Sequence, residues 1–245
     1  MTASTGLRAG YLAASFLVRP VLNALMAKDW EGTEHLPDTG FIVCANHVSN
    51  LDPLAMGHFV YNQGHLPHFL AKAELFQIPV VGGLLGAMRQ IPVDRARGGN
   101  DSLVAADAVL AEGGAIIIYP EGTLTSDPGL WPMKAKTGAA RLALKTGVPV
   151  VPVAQWGIQD VLPRTAKVPS VRPRRTARIR VGAPVSLEDL RGSALTRSVL
   201  DAASERIMSA ITAELEVLRG EPAPAGRWNP RTGQREAGPR EPGRP

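Results

Sequence analysis

The sequence predicts an α/β fold, with a largely parallel central sheet flanked by helices, an N-terminal helical pair and a C-terminal helix. Three observations predict it. The runs FIVCA (41–45), AIII (115–118) and VPVVPVAQW (148–156) are short and almost uniformly apolar. Apolarity without alternation marks strands covered on both faces, as parallel sheets require. Between these runs lie helix-patterned segments bounded by caps and glycine stops, so strand and helix alternate along the chain.

The first element is LRAGYLAASFLVRPVLNALMA (7–27), interrupted at Arg19-Pro20. It falls short of the roughly eighteen uninterrupted apolar residues of a membrane span and lacks the form of a signal peptide. Two short helices meeting at the proline are expected. They are either core helices or an interfacial pair with Arg8, Arg19 and Lys28 toward lipid headgroups. Residues 1–30 thus form an N-terminal unit, a membrane-interface dock in the second reading.

Gly32 to Gly40 reads as a turn, and FIVCA follows as a buried strand. DPLAMGHFVYN (52–62) opens with a carboxylate and a proline, a good helix start with Asp52 as cap. PHFLAKAELF (67–76) is a strand running into a turn and a short helix, and Gln90–Val93 a further strand. NDSLVAADAVLAEGG (100–114) is a helix stopped by Gly113-Gly114, and KTGAARLALKTG (136–147) another closed by Gly147. ARIRVG (177–182) reads as a strand with both arginines on one face. The last helix runs from about Thr196 to Arg219, with Leu200, Ile207, Ile211, Leu215 and Leu218 at helical spacing. Residues 31–219 form the main domain. The Pro/Gly/Arg-rich remainder, 220–245, is expected to be disordered.

The chain has 245 residues, 44% hydrophobic and 20% charged, which is globular and near the upper size for one core. Its formal charge of +5 points to an acidic partner: phosphate, anionic lipid or nucleic acid. An aromatic content of 5% gives little material for the stacking platforms of single-strand binders. The single cysteine, Cys44, excludes an internal disulfide and a multi-cysteine metal site, and its apolar setting makes it a buried thiol.

Two loops carry the candidate chemistry, and both follow buried strands, where ligands bind in such sheets. In NHVSNLD (46–52), His47 and Asp52 are five apart, a spacing wrong for one helix face but open to a loop that folds back. A carboxylate on the imidazole Nδ1–H would leave Nε2 as a base. Asp52 as a simple helix cap, worth about 1 kcal/mol, explains the same residue without catalysis. In YPEGT (119–123), Glu121, Gly122 and Thr123 offer a carboxylate, a flexible backbone and a hydroxyl suited to an anion, or merely a turn. Arg95, in IPVDR, either grips a phosphate through a bidentate guanidinium or pairs with Asp94.

The ordered set NHVSNLD, IPVDR, YPEGT and VPVVPV resembles the four blocks of the glycerolipid acyltransferase family, which includes bacterial 1-acylglycerol-3-phosphate acyltransferases. FLAKAELFQIPVVGGLLG (69–86) is similar as well, and the likeness covers residues 30–185. The resemblance implies acyl transfer from acyl-CoA or acyl carrier protein to the free hydroxyl of a lysophospholipid, with no cofactor and no metal. It implies His47 as the base and Asp52 as its orienter. It associates Arg95, Glu121, Gly122 and Thr123 with the acceptor phosphate and glycerol, with Lys72 as an auxiliary cation. It also implies a peripheral enzyme at the cytoplasmic face of the membrane, in contact with anionic lipid. One departure stands out. The family continues its third block as PEGTRS, whereas this chain reads PEGTLTS, with Leu124 in the arginine position. Lys72, Lys134, Lys136 or the Arg172–Arg180 cluster can compensate, or the acceptor is another lysophospholipid or a glycolipid.

Two rival classes follow from the same residues. A metal-dependent hydrolase would use His47, Asp52 and one of His58, His65 and His68, whose spacing fits no metal motif. A nucleic-acid module would use the basic run Arg164–Arg180, which comes with no recognition helix.

Overall fold

The computed structural model describes residues 5–93 and 100–236. Among them a seven-stranded sheet has the order β1-β7-β6-β2-β5-β3-β4. The strands are β1 (Met26–Glu31), β2 (Phe41–Ala45), β3 (Pro67–Lys72), β4 (Ile91–Val93), β5 (Ala115–Ile118), β6 (Val150–Trp156) and β7 (Arg175–Val181). Every neighbouring pair is parallel except β6 with β7. The helices are α1 (Thr5–Leu25), α2 (Asp52–Asn62), α3 (Val81–Ala87), α4 (Asn100–Ala111), α5 (Gly138–Thr146) and α6 (Arg197–Arg219).

Strand β2 sits at the centre and is fully buried from Phe41 to Ala45, which is why FIVCA carries no polar residue. Side chains of β2 alternate between two cores. Ile42 and Cys44 join the face covered by α4, α5 and α6, with Leu142, Ile207 and Ile211. Phe41, Val43 and Ala45 join the face covered by α2, with Met56, Phe59 and Val60. The fourth block lies in β6, whose Val151 and Val153 are fully buried in that second core. Because β2 and β5 are parallel and adjacent, the two candidate loops emerge side by side at the same sheet edge.

Three sequence expectations change. The N-terminal pair is one helix, α1, which passes through Pro20. An internal proline removes a backbone bond and costs about 3 kcal/mol. Burial of Leu22, and of Met26 just past the helix end, against Leu51, Ala55, Ile158 and Ala177 offsets that cost beyond the proline. Residues 26–30 then leave the N-terminal unit and, with Glu31, form edge strand β1 beside β7. The segment expected to be disordered holds an antiparallel hairpin, β8 (Arg227–Asn229) with β9 (Gln234–Glu236), joined by a parallel bridge from Trp228 to Met133. It is held by hydrogen bonds and ion pairs rather than by an apolar core, so hydrophobic patterning could not announce it. Residues 237–245 lie outside the described residues.

Candidate active site

Asn46 and Ser49 of NHVSNLD tie the loop to its neighbours. Asn46 extends the sheet by side-chain mimicry: its Oδ1 accepts from Gln155 N at 2.8 Å and its Nδ2 donates to Gln155 O at 3.0 Å. Gln155 Nε2 returns a bond to Asn46 O at 2.7 Å. Ser49 Oγ donates to Leu162 O at 2.7 Å and accepts from Leu51 N. The loop is thereby tied to β6 on one side and to the segment after β6 on the other.

His47 and Asp52 meet. His47 Nδ1 lies 2.9 Å from Asp52 Oδ2, and their side chains are 15% and 0% exposed. The same Oδ2 accepts from Val48 N at 2.7 Å and Ser49 N at 2.8 Å. Asp52 therefore does not cap its own helix. Leu51 occupies the cap position, Asp52 is the first helical residue, and its carboxylate points back into the loop. Burial pushes the Asp52 carboxyl above its ordinary range, while His47 and the two backbone N–H groups pull it down. Because a carboxylate oxygen only accepts, the contact assigns the imidazole proton to Nδ1 and leaves Nε2 free to accept one.

Tyr119 stacks on the imidazole, ring centroids 4.1 Å apart and planes 19° from parallel. Its aromatic face favours a positive charge on His47. Burial raises its phenol well above the ordinary value, so it remains neutral. Tyr119 was not singled out from the sequence, although its place directly before PEG at a strand end was the available signal.

Glu121 is a brace rather than an exposed acid. It is 3% exposed, and its two oxygens accept from His47 N at 3.2 Å and Met133 N at 3.0 Å. Burial pushes its carboxyl up to about 8, against the opposing pull of those N–H groups. Thr125 N donates to His47 O at 2.8 Å, so the YPEGT loop and its continuation hold the His47 backbone. Gly122 adopts φ +72°, and a Cβ there would lie 2.9 Å from Lys136 Nζ. Thr123 is exposed beside it.

The remaining sequence candidates distribute as follows. Arg95 lies outside the described residues. Lys72 is exposed at the end of β3. Lys134 pairs with Glu236 at 3.5 Å. Arg180 is taken up by Glu31 and Glu214, and Arg174 donates to Asn23 O and Met26 O at the end of α1. Those two arginines are engaged structurally, so the Arg172–Arg180 cluster does not stand as one free basic unit. Lys136 does reach the loop, and so does Arg164, whose Nη1 donates to Thr125 O at 3.0 Å, next to Leu124. From the sequence, Arg164 was one member of a basic run.

His58, His65 and His68 contact Trp30, Phe41 and Tyr11 in turn, and none of these contacts involves His47. Among the described residues no three His, Cys, Asp or Glu side chains form a metal-sized group.

Known proteins resemble this chain. The chloroplastic 1-acyl-sn-glycerol-3-phosphate acyltransferase of Brassica napus is 34% identical over 139 residues, 55% of this chain and 39% of that protein. The 1-acyl-sn-glycerol-3-phosphate acyltransferase of Bacillus subtilis is 35% identical over 128 residues, 51% of this chain and 60% of that protein. The match thus spans less than two thirds of either relative. The crystal structure of the 1-acyl-sn-glycerophosphate acyltransferase PlsC from Thermotoga maritima shares the fold, with a TM-score of 0.61 at 24% identity over 89% of this chain and 80% of that one. The acyltransferase family model matches residues 29–156, from β1 through β6 and across both loops, and the chain belongs to that family.

Proposed function

We propose that the protein transfers an acyl group from a thioester donor to the free hydroxyl of 1-acylglycerol-3-phosphate, giving phosphatidic acid. The observation that carries the reading is the His47 Nδ1–Asp52 Oδ2 contact at 2.9 Å in a partly open site. The names and similarity of the relatives support the substrate class.

In this reading His47 Nε2 takes the proton of the acceptor hydroxyl as its oxygen bonds to the thioester carbonyl carbon. Asp52 and the Tyr119 ring stabilise the imidazolium. The tetrahedral intermediate then collapses, the carbon–sulfur bond breaks, and the thiolate receives the proton from Nε2. General-base help of this kind is worth on the order of 10²–10⁴ in rate. No protein nucleophile, cofactor or metal enters the step as written. Cys44 is a fully buried bystander. Lys136 and Arg164 flank the YPEGT loop and serve the acceptor phosphate in this reading, with Lys72 and Arg95 as further cations. Acyl-CoA and acyl carrier protein both present the required thioester.

The test is thiol release from acyl-CoA, and separately from acyl carrier protein, with lysophosphatidate, monoacylglycerol or lysophosphatidylcholine as acceptor. Release that requires lysophosphatidate, and that disappears in a folded His47→Ala variant, is expected. Undiminished release in that variant removes His47 from the mechanism. Equal use of monoacylglycerol removes the phosphate from the recognition.

A further inference from the structure

The β8–β9 hairpin makes two sets of contacts, and they face different elements. Toward α6, Arg227 donates from Nε to Glu205 Oε1 at 2.7 Å, from Nη1 to Thr212 Oγ1 at 2.9 Å and from Nη2 to Ser209 Oγ at 3.0 Å. Toward the loop that follows YPEGT, Trp228 O accepts from Lys134 N at 3.0 Å and Trp228 Nε1 donates to Ser126 Oγ at 3.2 Å. Arg235 pairs with Asp127, whose side chain is fully buried. Asp127 Oδ1 is occupied by Gly129 N at 2.7 Å, so Oδ2 is the oxygen that meets the guanidinium.

The end of α6 grips the same loop. The Arg219 guanidinium lies 4.0 Å from the Trp131 ring centre and 4.3 Å from that of Trp156, and it donates to Gly129 O at 2.7 Å. On its inner side, residues 125–133 hold the catalytic backbone: Thr125 N binds His47 O, and Met133 N binds Glu121 Oε2. The loop is thus held from within by the site and from without by the hairpin. Asp127 makes that outer hold consequential. A buried carboxylate stripped of its cation is strongly destabilising, so the loop would open to hydrate it, and Thr125 is two residues away.

We propose that the β8–β9 hairpin is a clamp for the acyl-transfer site, in which Arg235 and Trp228 are positioning residues that keep residues 125–133 pressed against His47 and Glu121. The inference rests on the acyl-transfer reading above. It assigns to the C-terminal segment a role in turnover rather than in substrate binding.

The experiment compares kcat and both KM values of the full chain with those of Arg235→Ala, Arg235→Lys, Trp228→Ala and a chain ending at Ala225, using acyl-CoA and lysophosphatidate. Arg231→Ala, which removes an equal charge from the exposed turn of the hairpin, is the control. The expected result is a kcat roughly tenfold lower in Arg235→Ala and Trp228→Ala, KM values within about twofold, and an unchanged control. Arg235→Lys, which keeps the charge on Asp127, recovers most of the loss. Full kcat in Arg235→Ala overturns the proposal. A loss that merely tracks the unfolded fraction in thermal melts, with kcat per folded molecule intact, overturns it equally. Should the truncated chain fail to fold, the point variants decide. A wild-type chain that releases no thiol overturns the acyl-transfer reading, whereas an active wild type with unaffected variants overturns only the clamp.

Discussion

At the scale of single residues, one buried carboxyl group braces the backbone around His47. Glu121 holds His47 N and Met133 N with its two oxygens. Replacement by Gln leaves one of those N–H groups facing an amide that cannot accept, which costs about 1–3 kcal/mol. The pH dependence has a definite sign. Burial raises the Glu121 carboxyl from its ordinary 4.5 to about 8, so the folded protein holds the proton more tightly than the unfolded chain. Its contribution to stability is full below pH 4.5 and is lost as the pH rises through about 8. Wild type should therefore exceed Glu121→Gln in Tm by most at pH 5, and the gap should narrow steadily to pH 9 in thermal melts. A constant gap would place the Glu121 proton elsewhere. The meeting of His47 and Asp52 was legible in the sequence because a strand, a polar loop and a Pro-started helix together leave room for the loop to fold back. The direction of the Asp52 carboxylate was not legible. Helix-capping preference points it forward into α2, whereas the Val48 and Ser49 N–H groups and His47 draw it backward.

At the scale of elements, the loops are positioned by close approach as much as by hydrogen bonds. Gly122 sits at φ +72°, where a side chain costs about 1–2 kcal/mol, and the Lys136 chain passes 2.9–3.0 Å from the place of its missing Cβ. Gly122→Ala should lower stability by about that amount in urea melts and push Lys136 off the loop. If Lys136 serves the acceptor phosphate, the variant also raises the KM for lysophosphatidate several-fold while that for acyl-CoA stays constant. Equal changes in both would locate Lys136 on the donor side. Patterning foretold the helices and strands that bury apolar stripes, including β2, β5, β6 and α6. It failed where other forces decide. Helix α1 continues through Pro20 because its far end is anchored in the Leu51 and Ile158 cluster. The hairpin of 227–236 forms because Arg227, Arg235 and Trp228 each find buried or half-buried partners, a long-range pairing of Arg235 with Asp127 that no local rule reads.

At the scale of the whole molecule, α1 is apolar on two faces. Leu7, Tyr11 and Leu22 are buried against the body, whereas Leu12, Phe16, Leu17 and Val21 are exposed, Phe16 by 81% and Leu17 by 67%. A helix apolar all round wants a second apolar neighbour. None of the described helices is long and apolar enough to cross a membrane. An exposed apolar face on a helix packed by its other side is what a bilayer surface would bury, and the net charge of +5 would favour anionic lipid. The inner face links this helix to the His47–Asp52 loop: Leu22, with Met26 just past the helix end, shares a cluster with Leu51, the residue before Asp52, and with Leu162, whose carbonyl holds Ser49. In the acyl-transfer reading proposed above, a docked α1 would set the His47 loop close to the interface where the lipid substrate and product would reside. Each large apolar side chain that enters the bilayer contributes about 1.5–3 kcal/mol. The double variant Phe16→Glu/Leu17→Glu should therefore bind phosphatidylglycerol-containing vesicles more than about 100-fold more weakly in flotation assays. Its kcat on a short-chain, water-soluble lysophosphatidate should stay near wild type, because neither residue contacts the site. Unchanged flotation would assign the outer face of α1 to a protein partner instead. Loss of activity on the soluble acceptor would mean that α1 shapes the site itself.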